Sequence, residues 1–373
     1  VTGTNYVGGL VGQNYNSAVI RNNSYVSNTT ITGNSGSTAV GGLVGLNSTN
    51  SSIADSYVTG ATISGTNQVG GLVGENSGTV SISDSYVKNS SVVGGRDVGG
   101  LVGGKYNPTL TVSNSYYNID SVLINNAEHM TLGGIYNKQF TDWQPTRTAL
   151  NLDNYFTKDA NNYYLINASN IEFLPGFVYK TTAQGAKFKL EDNIDLSTIN
   201  HSDALAEVTD YITELSLKEF KGTFDGNGKT LNNLNIDQSF NGDIGLFGRA
   251  IDATISNLNI SNPTLKGYYN IGSLAGYANR TNVDNVDVTN LTITGDATAP
   301  NGNMGGLIGH NTVSTSGTYT LQNSQVSGTI NGFGSYIAGL VGDNEQVAIN
   351  NSSANVAVTS TTGDYVAGLV GYN

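Results

Sequence analysis

Short apolar runs alternate with polar turns along most of the chain. Residues 69–94 contain three such runs, at 69–74, 80–87 and 91–93, with Gly, Asn and Ser between them. Apolar alternation over three to six residues, bounded by turn formers, is typical of short β-strands. The pattern therefore predicts three strands in each segment of this kind.

The first run of each segment carries a glycine-rich motif, which is Val-Gly-Gly-Leu-Val-Gly in its complete form. The central leucine of the motif recurs at Leu10, Leu43, Leu72, Leu101, Leu246, Leu274, Leu307, Leu340 and Leu369. The steps are 33, 29 and 29 residues, then a break, then 28, 33, 33 and 29. A fixed period in this range indicates a repeat architecture. Short strands stacked coil on coil, about 4.8 Å apart, predict an all-β parallel β-helix with coils of ~29 residues.

The motif itself has a structural interpretation. Glycine allows positive φ or close backbone approach at the corners of a solenoid, and each leucine would add one rung to the core. A phosphate-binding loop would need Lys-Ser/Thr after the glycines and a helix behind them, and neither follows.

A tyrosine recurs 14 or 15 residues after each motif leucine of the first four repeats, at Tyr25, Tyr57, Tyr86 and Tyr116. Equivalent positions in successive coils lie above one another, so these rings should form a ladder. A buried or half-buried ladder is the favoured interpretation, and stacked rings gain about 0.5–1.5 kcal/mol per pair. The alternative is an exposed aromatic strip that contacts a ligand such as a sugar.

The break in the period divides the chain. Residues 1–118 form a first solenoid block, 119–160 a joint or capping insert, and 161–373 a second block with an entry segment at 161–218. Within the insert, 135–143 is predicted to be a short helix or a packed loop. Apolar residues at near-helical spacing predict one further helix at 202–217.

Composition narrows the classes of partner. Charged residues make up 12% of the chain, the net charge is −12, and there is no cysteine. Nucleic-acid binding needs a basic surface, so no nucleic-acid partner is expected. No apolar run is long enough for a membrane span, so direct membrane insertion is not expected either. The repeats begin and end within a period, which we interpret as a segment of a longer chain on both sides.

At the glycine-rich motif, for example Gly9-Leu10-Val11-Gly12, the sequence resembles the GLUG-repeat proteins, which are named for their Gly-Leu-x-Gly core. Residues 189–196 and 220–230 are similar to the segments that open such arrays, and 115–118 with 139–143 to the segment that ends them. The resemblance implies a right-handed parallel β-helix in a large bacterial exported protein, often a filamentous-haemagglutinin-like adhesin. Some surface zinc peptidases that cleave immunoglobulin A also carry these repeats outside their catalytic domain.

Candidate chemistry is sparse. His129, His201 and His310 are far apart and outside any zinc-binding motif, so each is interpreted as a lone surface residue and no metal ligand is assigned. Asp192 with Asp195, or Asp284 with Asp287 near Arg280, could serve a polysaccharide-cleaving β-helix enzyme. Acidic pairs of this spacing are more often solvated. No catalytic residue and no cofactor is therefore expected. The Asn- and Asp-rich turns offer oxygen ligands, so calcium binding stays an alternative.

The expected function is a segment of a bacterial adhesin at the cell surface, attached through regions outside this sequence. It would bind a host-cell glycan or protein receptor, or a biofilm polysaccharide, directly or as a stalk. The alternatives are a non-catalytic repeat module of a surface metallopeptidase and a polysaccharide-cleaving enzyme.

Overall fold

A computed structural model describes residues 1–106, 109–178, 184–198, 219–238, 243–295, 302–314, 317–360 and 363–373. Among these, Val1–Leu150 form one compact unit and the residues from Asn151 onwards form a second. The chain is all-β, a parallel β-solenoid of about 11 coils, as the period predicts. The helix predicted at 202–217 lies outside the described residues.

Each complete coil of the first unit contains five short strands. In the third coil these are Gln68–Gly70, Val73–Ser77, Val80–Ser83, Tyr86–Lys88 and Ser90–Gly94. Each strand pairs in parallel with its equivalents in the coils on either side, so five sheets run along the unit.

The remaining strands of the first unit belong to the same five sheets. The sheet whose strands end at the first glycine of the motif contains Tyr6–Gly8, Ala39–Gly41 and Val98–Gly99. The sheet after the motif leucine contains Val11–Asn14, Val44–Ser48 and Val102–Tyr106. The third sheet contains Val19–Ile20, Ser52–Ala54 and Leu110–Ser113. The tyrosine sheet contains Tyr25–Ser27, Tyr57–Thr59, Tyr116–Asn118 and Gly134–Ile135. The fifth contains Thr2–Gly3, Thr30–Gly33, Thr62–Gly65 and Val122–Ile124.

The prediction of three strands per coil is wrong for this unit, because two of the predicted strands are bent in the middle. The glycine-rich run turns a corner at Gly71 and Leu72. The second run is interrupted where Asp84 takes a positive φ of 49°. Asp55 and Asn114 adopt the same conformation one coil away on either side. Asn and Asp tolerate this left-handed region better than other residues with a side chain, which explains their place before each Ser-Tyr pair.

The motif glycines are required by close approach rather than by positive φ. A Cβ on Gly70 would lie 1.9 Å from the carbonyl oxygen of Val73 and 2.5 Å from the amide nitrogen of Gly103 in the next coil. Both are backbone atoms, so no side-chain movement could make room. The corner can therefore be built only where the side chain is absent.

The motif leucines form the predicted core stack. Seven of the nine are completely buried, namely Leu43, Leu72, Leu101, Leu246, Leu274, Leu307 and Leu340. Leu10 and Leu369 are partly exposed because, in this chain, their coils have a neighbour on one side only.

A row of buried asparagines lies beside the leucines and was not predicted. Asn14 donates from Nδ2 to Asn47 Oδ1 at 2.9 Å, and Asn47 donates in turn to Asn76 at 3.1 Å. Asn311 and Asn344 repeat the arrangement in the second unit at 3.1 Å. The amides of Asn14, Asn47 and Asn311 each donate one hydrogen bond to the next coil, which satisfies most of the polar atoms in the row, whereas Asn76 Nδ2 and Asn311 Oδ1 have no partner among the described residues.

The second unit has longer strands and fewer sheets. Its largest sheet contains Tyr164–Ile166, Ala186–Leu190, Ile194–Asp195, Gly222–Asn232, Asn235–Gln238, Thr254–Ser261, Thr264–Gly267, Asn282–Gly295, Thr320–Gln322, Gln325–Gly332, Ala348–Asn350 and Ser353–Ser360. A second sheet contains Glu219–Phe220, Phe247–Ile251, Ala275–Asn279, Ile308–Thr312, Val341–Glu345 and Val370–Tyr372. A third contains Asn270–Ile271, Asn303–Gly305, Tyr336–Ala338 and Tyr365–Ala367.

Helices are short in the described residues. Helix α1 is Asn137–Trp143, within the segment predicted as a helix or packed loop, and helix α2 is Pro175–Val178. Single 3-10 turns occur at Ile119–Ser121, Leu152–Asn154, Ile171–Phe173 and Leu196–Thr198. No helix among the described residues is long and apolar enough to cross a bilayer.

Candidate functional site

The four tyrosines lie in register on one sheet of the first unit. Tyr57 pairs with Tyr25 on one side and with Tyr86 on the other, and Tyr86 pairs with Tyr116. The Tyr25 and Tyr57 rings stack at 5.1 Å between centroids with 6° between planes, and Tyr57 and Tyr86 at 4.9 Å and 4°. The predicted ladder is therefore present.

The two ends of this tyrosine ladder differ in exposure. Tyr25 is 55% exposed and Tyr57 is half-buried, whereas Tyr86 and Tyr116 are only 5% and 4% exposed. Burial raises the pKa of both covered hydroxyls, Tyr86 and Tyr116. The interpretation as a buried or half-buried ladder thus fits Tyr57, Tyr86 and Tyr116, while Tyr25 is exposed and contact with a ligand stays a prediction.

Helix α1 and the turn after it cover the buried half. Trp143 packs edge-on against Tyr116, with ring centroids 4.8 Å apart, and its indole N–H donates to Asn114 Oδ1 at 2.6 Å. The Arg147 guanidinium lies over the Tyr86 ring at 4.7 Å and donates to the Asp84 carbonyl oxygen. The only tryptophan of the chain is therefore a structural residue that closes one end of the aromatic row.

The stacking limits what the exposed half can bind. Because Tyr57 is covered by a ring on each face, it offers solvent its ring edge and hydroxyl rather than a free aromatic face. A sugar ring that stacks on tyrosine needs such a face. Tyr57 is therefore suited to hydrogen bonding with a polar ligand, whereas Tyr25 is stacked on one face only.

The candidate acidic pairs have other roles in the structure. Asp195 Oδ1 accepts from the Ser197 amide at 3.0 Å and from Asn233 Nδ2 at 2.8 Å, while Asp192 is exposed. Arg280 makes a two-point contact with Asp252, at 2.5 Å from Nε and 2.8 Å from Nη2. That contact lowers the pKa of Asp252.

The second acidic pair lies on the strand Asn282–Gly295. Asp284 and Asp287 are both half-buried there, and Asp284 Oδ1 accepts from Asn323 at 2.7 Å. Neither carboxylate is paired with Arg280 in the described residues. The arginine expected beside this pair therefore serves Asp252 instead.

The histidines are placed differently from the expectation. His201 lies outside the described residues. His129 is half-buried, and its backbone oxygen accepts from the Tyr117 hydroxyl at 2.5 Å. His310 is not a lone surface residue, because it lies within 4 Å of Asp343 and Glu345. The period could have revealed this, since Asp343 follows His310 by 33 residues, the same step that separates Leu307 and Leu340.

The fold and its ladders define a solenoid repeat protein in which each coil presents equivalent side chains to the same face. Residues 36–64 match the family model of the GLUG motif, so the chain carries the repeat that the sequence predicts. Halomucin of Haloquadratum walsbyi is 33% identical over 105 residues, which cover 26% of this chain and 1% of that protein. No solved structure matches the chain.

Proposed function

We propose that this chain is a non-catalytic segment of a large surface-exposed or secreted bacterial adhesin. The observation that carries the proposal is the outer part of the tyrosine ladder, where exposed Tyr25 and half-buried Tyr57 lie one coil apart on the same sheet. The partner would be a host-cell glycan or protein receptor, or a biofilm polysaccharide.

The chemistry of the surface supports a neutral, polar ligand. Charged residues are few, and rows of amides line other exposed faces of the second unit. Asn285 donates to Asn257 at 3.1 Å, and Asn351 donates to Asn323 at 2.7 Å. Hydroxyls and amides repeated at the spacing of the coils suit a ligand that is itself a repeating chain of hydroxyl groups. Individually weak contacts then add through multivalency.

The similarities point to the same class. The GLUG match and the resemblance to Halomucin, a mucin by its name, support an extracellular repeat protein. The contacts of Asp195 and Arg280 support a non-catalytic role, because both groups are already engaged in structural hydrogen bonds. We propose a location on the bacterial surface on the same grounds.

The test compares two hydroxyl deletions on the same ladder. The purified chain would be screened against an array of host-type glycans, immobilised matrix proteins and bacterial exopolysaccharides. Tyr57→Phe removes one exposed hydroxyl and keeps the ring stack, so affinity for the bound ligand should fall about 3- to 10-fold. Tyr86→Phe removes a covered hydroxyl, which accepts from Gln144 Nε2 at 3.2 Å, and should leave binding unchanged.

Two results would contradict the proposal. If wild type binds nothing on any surface, the segment is a spacer and not an adhesive face. If Tyr57→Phe and Tyr86→Phe bind equally to wild type, the ligand contacts another face and the ladder is structural.

A further inference from the structure

Three side chains with metal-binding atoms converge on one face of the second unit. Strands Ile308–Thr312 and Val341–Glu345 are parallel neighbours, and His310 lies opposite Asp343 in their register. Glu345 is two residues further along and so points to the same face. His310 Nε2 is 3.6 Å from Asp343 Oδ2 and 3.8 Å from Glu345 Oε2, and the three candidate ligand atoms all lie within 4.8 Å of one another.

The cluster contains polar atoms with unmet bonding capacity. The Asp343 side chain is only 8% exposed, and its Oδ1 has no hydrogen-bond partner. His310 Nε2 is likewise buried and without a partner, although it faces both carboxylates. Among the described residues, His310 is the only basic side chain within 4.0 Å of either acid. Buried polar atoms are nearly always satisfied, so this cluster requires an explanation.

We propose that His310, Asp343 and Glu345 bind one divalent transition-metal ion, of which Zn²⁺ is the best match. Zinc accepts imidazole nitrogen and carboxylate oxygen at about 2.0–2.2 Å, which places tetrahedral ligand atoms about 3.3 Å apart. The two separations from His310 Nε2 exceed that value by a few tenths of an ångström, and all three atoms lie within 4.8 Å of one another, so side-chain rotations can bring them to ligand distances. The imidazole ligand separates this site from calcium and magnesium sites, which are built from oxygen.

The surroundings fit a metal site with one open position. Thr312 Oγ1 donates to Glu345 Oε2 at 2.8 Å and fixes the orientation of that carboxylate. The Tyr277 ring packs edge-on against His310 at 5.2 Å, and Tyr372 lies opposite Asp343 in the next coil. Glu345 is 49% exposed, so the fourth position would face solvent and hold water. Supporting hydrogen bonds of this kind contribute about 10- to 100-fold to metal affinity.

A plain ion pair between a protonated histidine and two acids is the competing explanation. The separations of 3.6 and 3.8 Å are too long for hydrogen bonds, so the pair would leave the same atoms unsatisfied. A cation placed between the three facing atoms gives His310 Nε2 the partner that it lacks and offsets the negative charge of both carboxylates. Metal titration distinguishes the two explanations directly.

The test is a titration of the full chain, first stripped with a chelator and dialysed. Calorimetry with Zn²⁺ should give one site per chain, and Co²⁺ should give visible absorption bands typical of four-coordinate cobalt. His310→Gln and Asp343→Asn should each weaken Zn²⁺ binding by more than 100-fold. Thr312→Val should weaken it by about 10-fold or more, because it frees Glu345.

The controls keep the outcome decisive. A double variant, His129→Gln with His201→Gln, should bind Zn²⁺ as wild type does, and circular dichroism checks that each variant is folded. Ca²⁺ should bind at least 100-fold more weakly than Zn²⁺. The proposal is overturned if wild type shows no stoichiometric site, if His310→Gln binds equally well, or if Ca²⁺ matches Zn²⁺.

Discussion

Replacing Asn47 by alanine tests whether the buried asparagine row stabilises the first unit. Asn47 is completely buried and makes three side-chain hydrogen bonds. Its Oδ1 accepts from Asn14 Nδ2 at 2.9 Å and from Ser51 Oγ at 2.7 Å, and its Nδ2 donates to Asn76 Oδ1 at 3.1 Å. No other residue of the row is bonded to both neighbours and to a serine.

The expected loss of stability depends on which hydrogen bonds the partners of Asn47 keep after the substitution. Ser51 Oγ also donates to the Asn14 carbonyl, and Asn14 Nδ2 to the Ser52 carbonyl, so these donors keep an acceptor. Each of those two lost bonds should cost about 0.5–1 kcal/mol. Asn76 Oδ1 loses its partner inside the protein, which costs about 1–3 kcal/mol. The free energy of unfolding should therefore fall by about 3 kcal/mol.

Asn76→Ala is the matched control, since Asn76 is equally buried and one coil away. It removes one hydrogen bond and also removes Asn76 Nδ2, a buried donor without a partner. Its cost should be smaller, about 1–2 kcal/mol. The double variant should cost less than the sum of the two, because both single changes break the same bond.

Urea unfolding followed by tryptophan fluorescence measures these values for the first unit alone. Trp143 is the only tryptophan, is 1% exposed and packs within that unit. Asn5→Ala, at an exposed position of the same unit, should change stability by less than about 0.5 kcal/mol. The reasoning is refuted if Asn47→Ala costs no more than Asn76→Ala, or if the two losses add fully.

Two further predictions concern a buried acid and the motif glycines. Burial raises the pKa of the Glu75 carboxyl above its value in the unfolded chain. The contribution of this carboxyl to stability is therefore fully present below the unfolded pKa, and it is lost as pH rises through the folded pKa. Glu75→Gln should therefore raise the melting temperature at pH 7 and have no effect near pH 3.5; equal melting temperatures at pH 7 would contradict this. Gly306→Ala would place a Cβ 2.2 Å from the Gly339 carbonyl oxygen and should lower the free energy of unfolding by about 3 kcal/mol. Gly368 occupies the same motif position in the last coil, and a Cβ there meets nothing within 4 Å. Thermal unfolding by circular dichroism compares Gly306→Ala with Gly368→Ala, and similar losses in both would refute the steric explanation.

The period of the leucines was sufficient to predict the fold. A repeat that returns every 28 to 33 residues places equivalent residues above one another, and the stacking of Tyr25 on Tyr57 follows from that placement. Undisturbed alternation of apolar residues and lysines runs over the whole strand Ala186–Leu190. The number of strands in a coil was not predictable from alternation, since a left-handed residue such as Asp84 bends a strand without changing the apolar pattern.

The cover on the tyrosine ladder could not be derived from the period. Trp143 and Arg147 belong to a segment with no repeat, so nothing in the spacing indicates which coil they contact. Together they cover Tyr86 and Tyr116 and leave Tyr25 exposed and Tyr57 half-buried. The buried asparagines were missed for a different reason. Asn47 and Asn76 each follow a motif leucine by four residues, but asparagine is so common in this chain that its recurrence at these positions does not stand out from the composition.

The position three residues after the motif leucine shows how such a solenoid can acquire a specific site. A glycine precedes this position in every coil, and the residues at the position vary along the chain, being Gln13, Leu46, Glu75, Gly104, Arg249, Tyr277, His310, Asp343 and Tyr372. Residues at this position lie opposite their equivalents in the neighbouring coils, as Tyr277 lies opposite His310 and His310 opposite Asp343. One substitution therefore alters two contacts and leaves the core stack unchanged. Two neighbouring coils with His310 and Asp343 at this position are enough to bring metal-binding atoms together, which is why we place the site there and not at the glycine-rich corner.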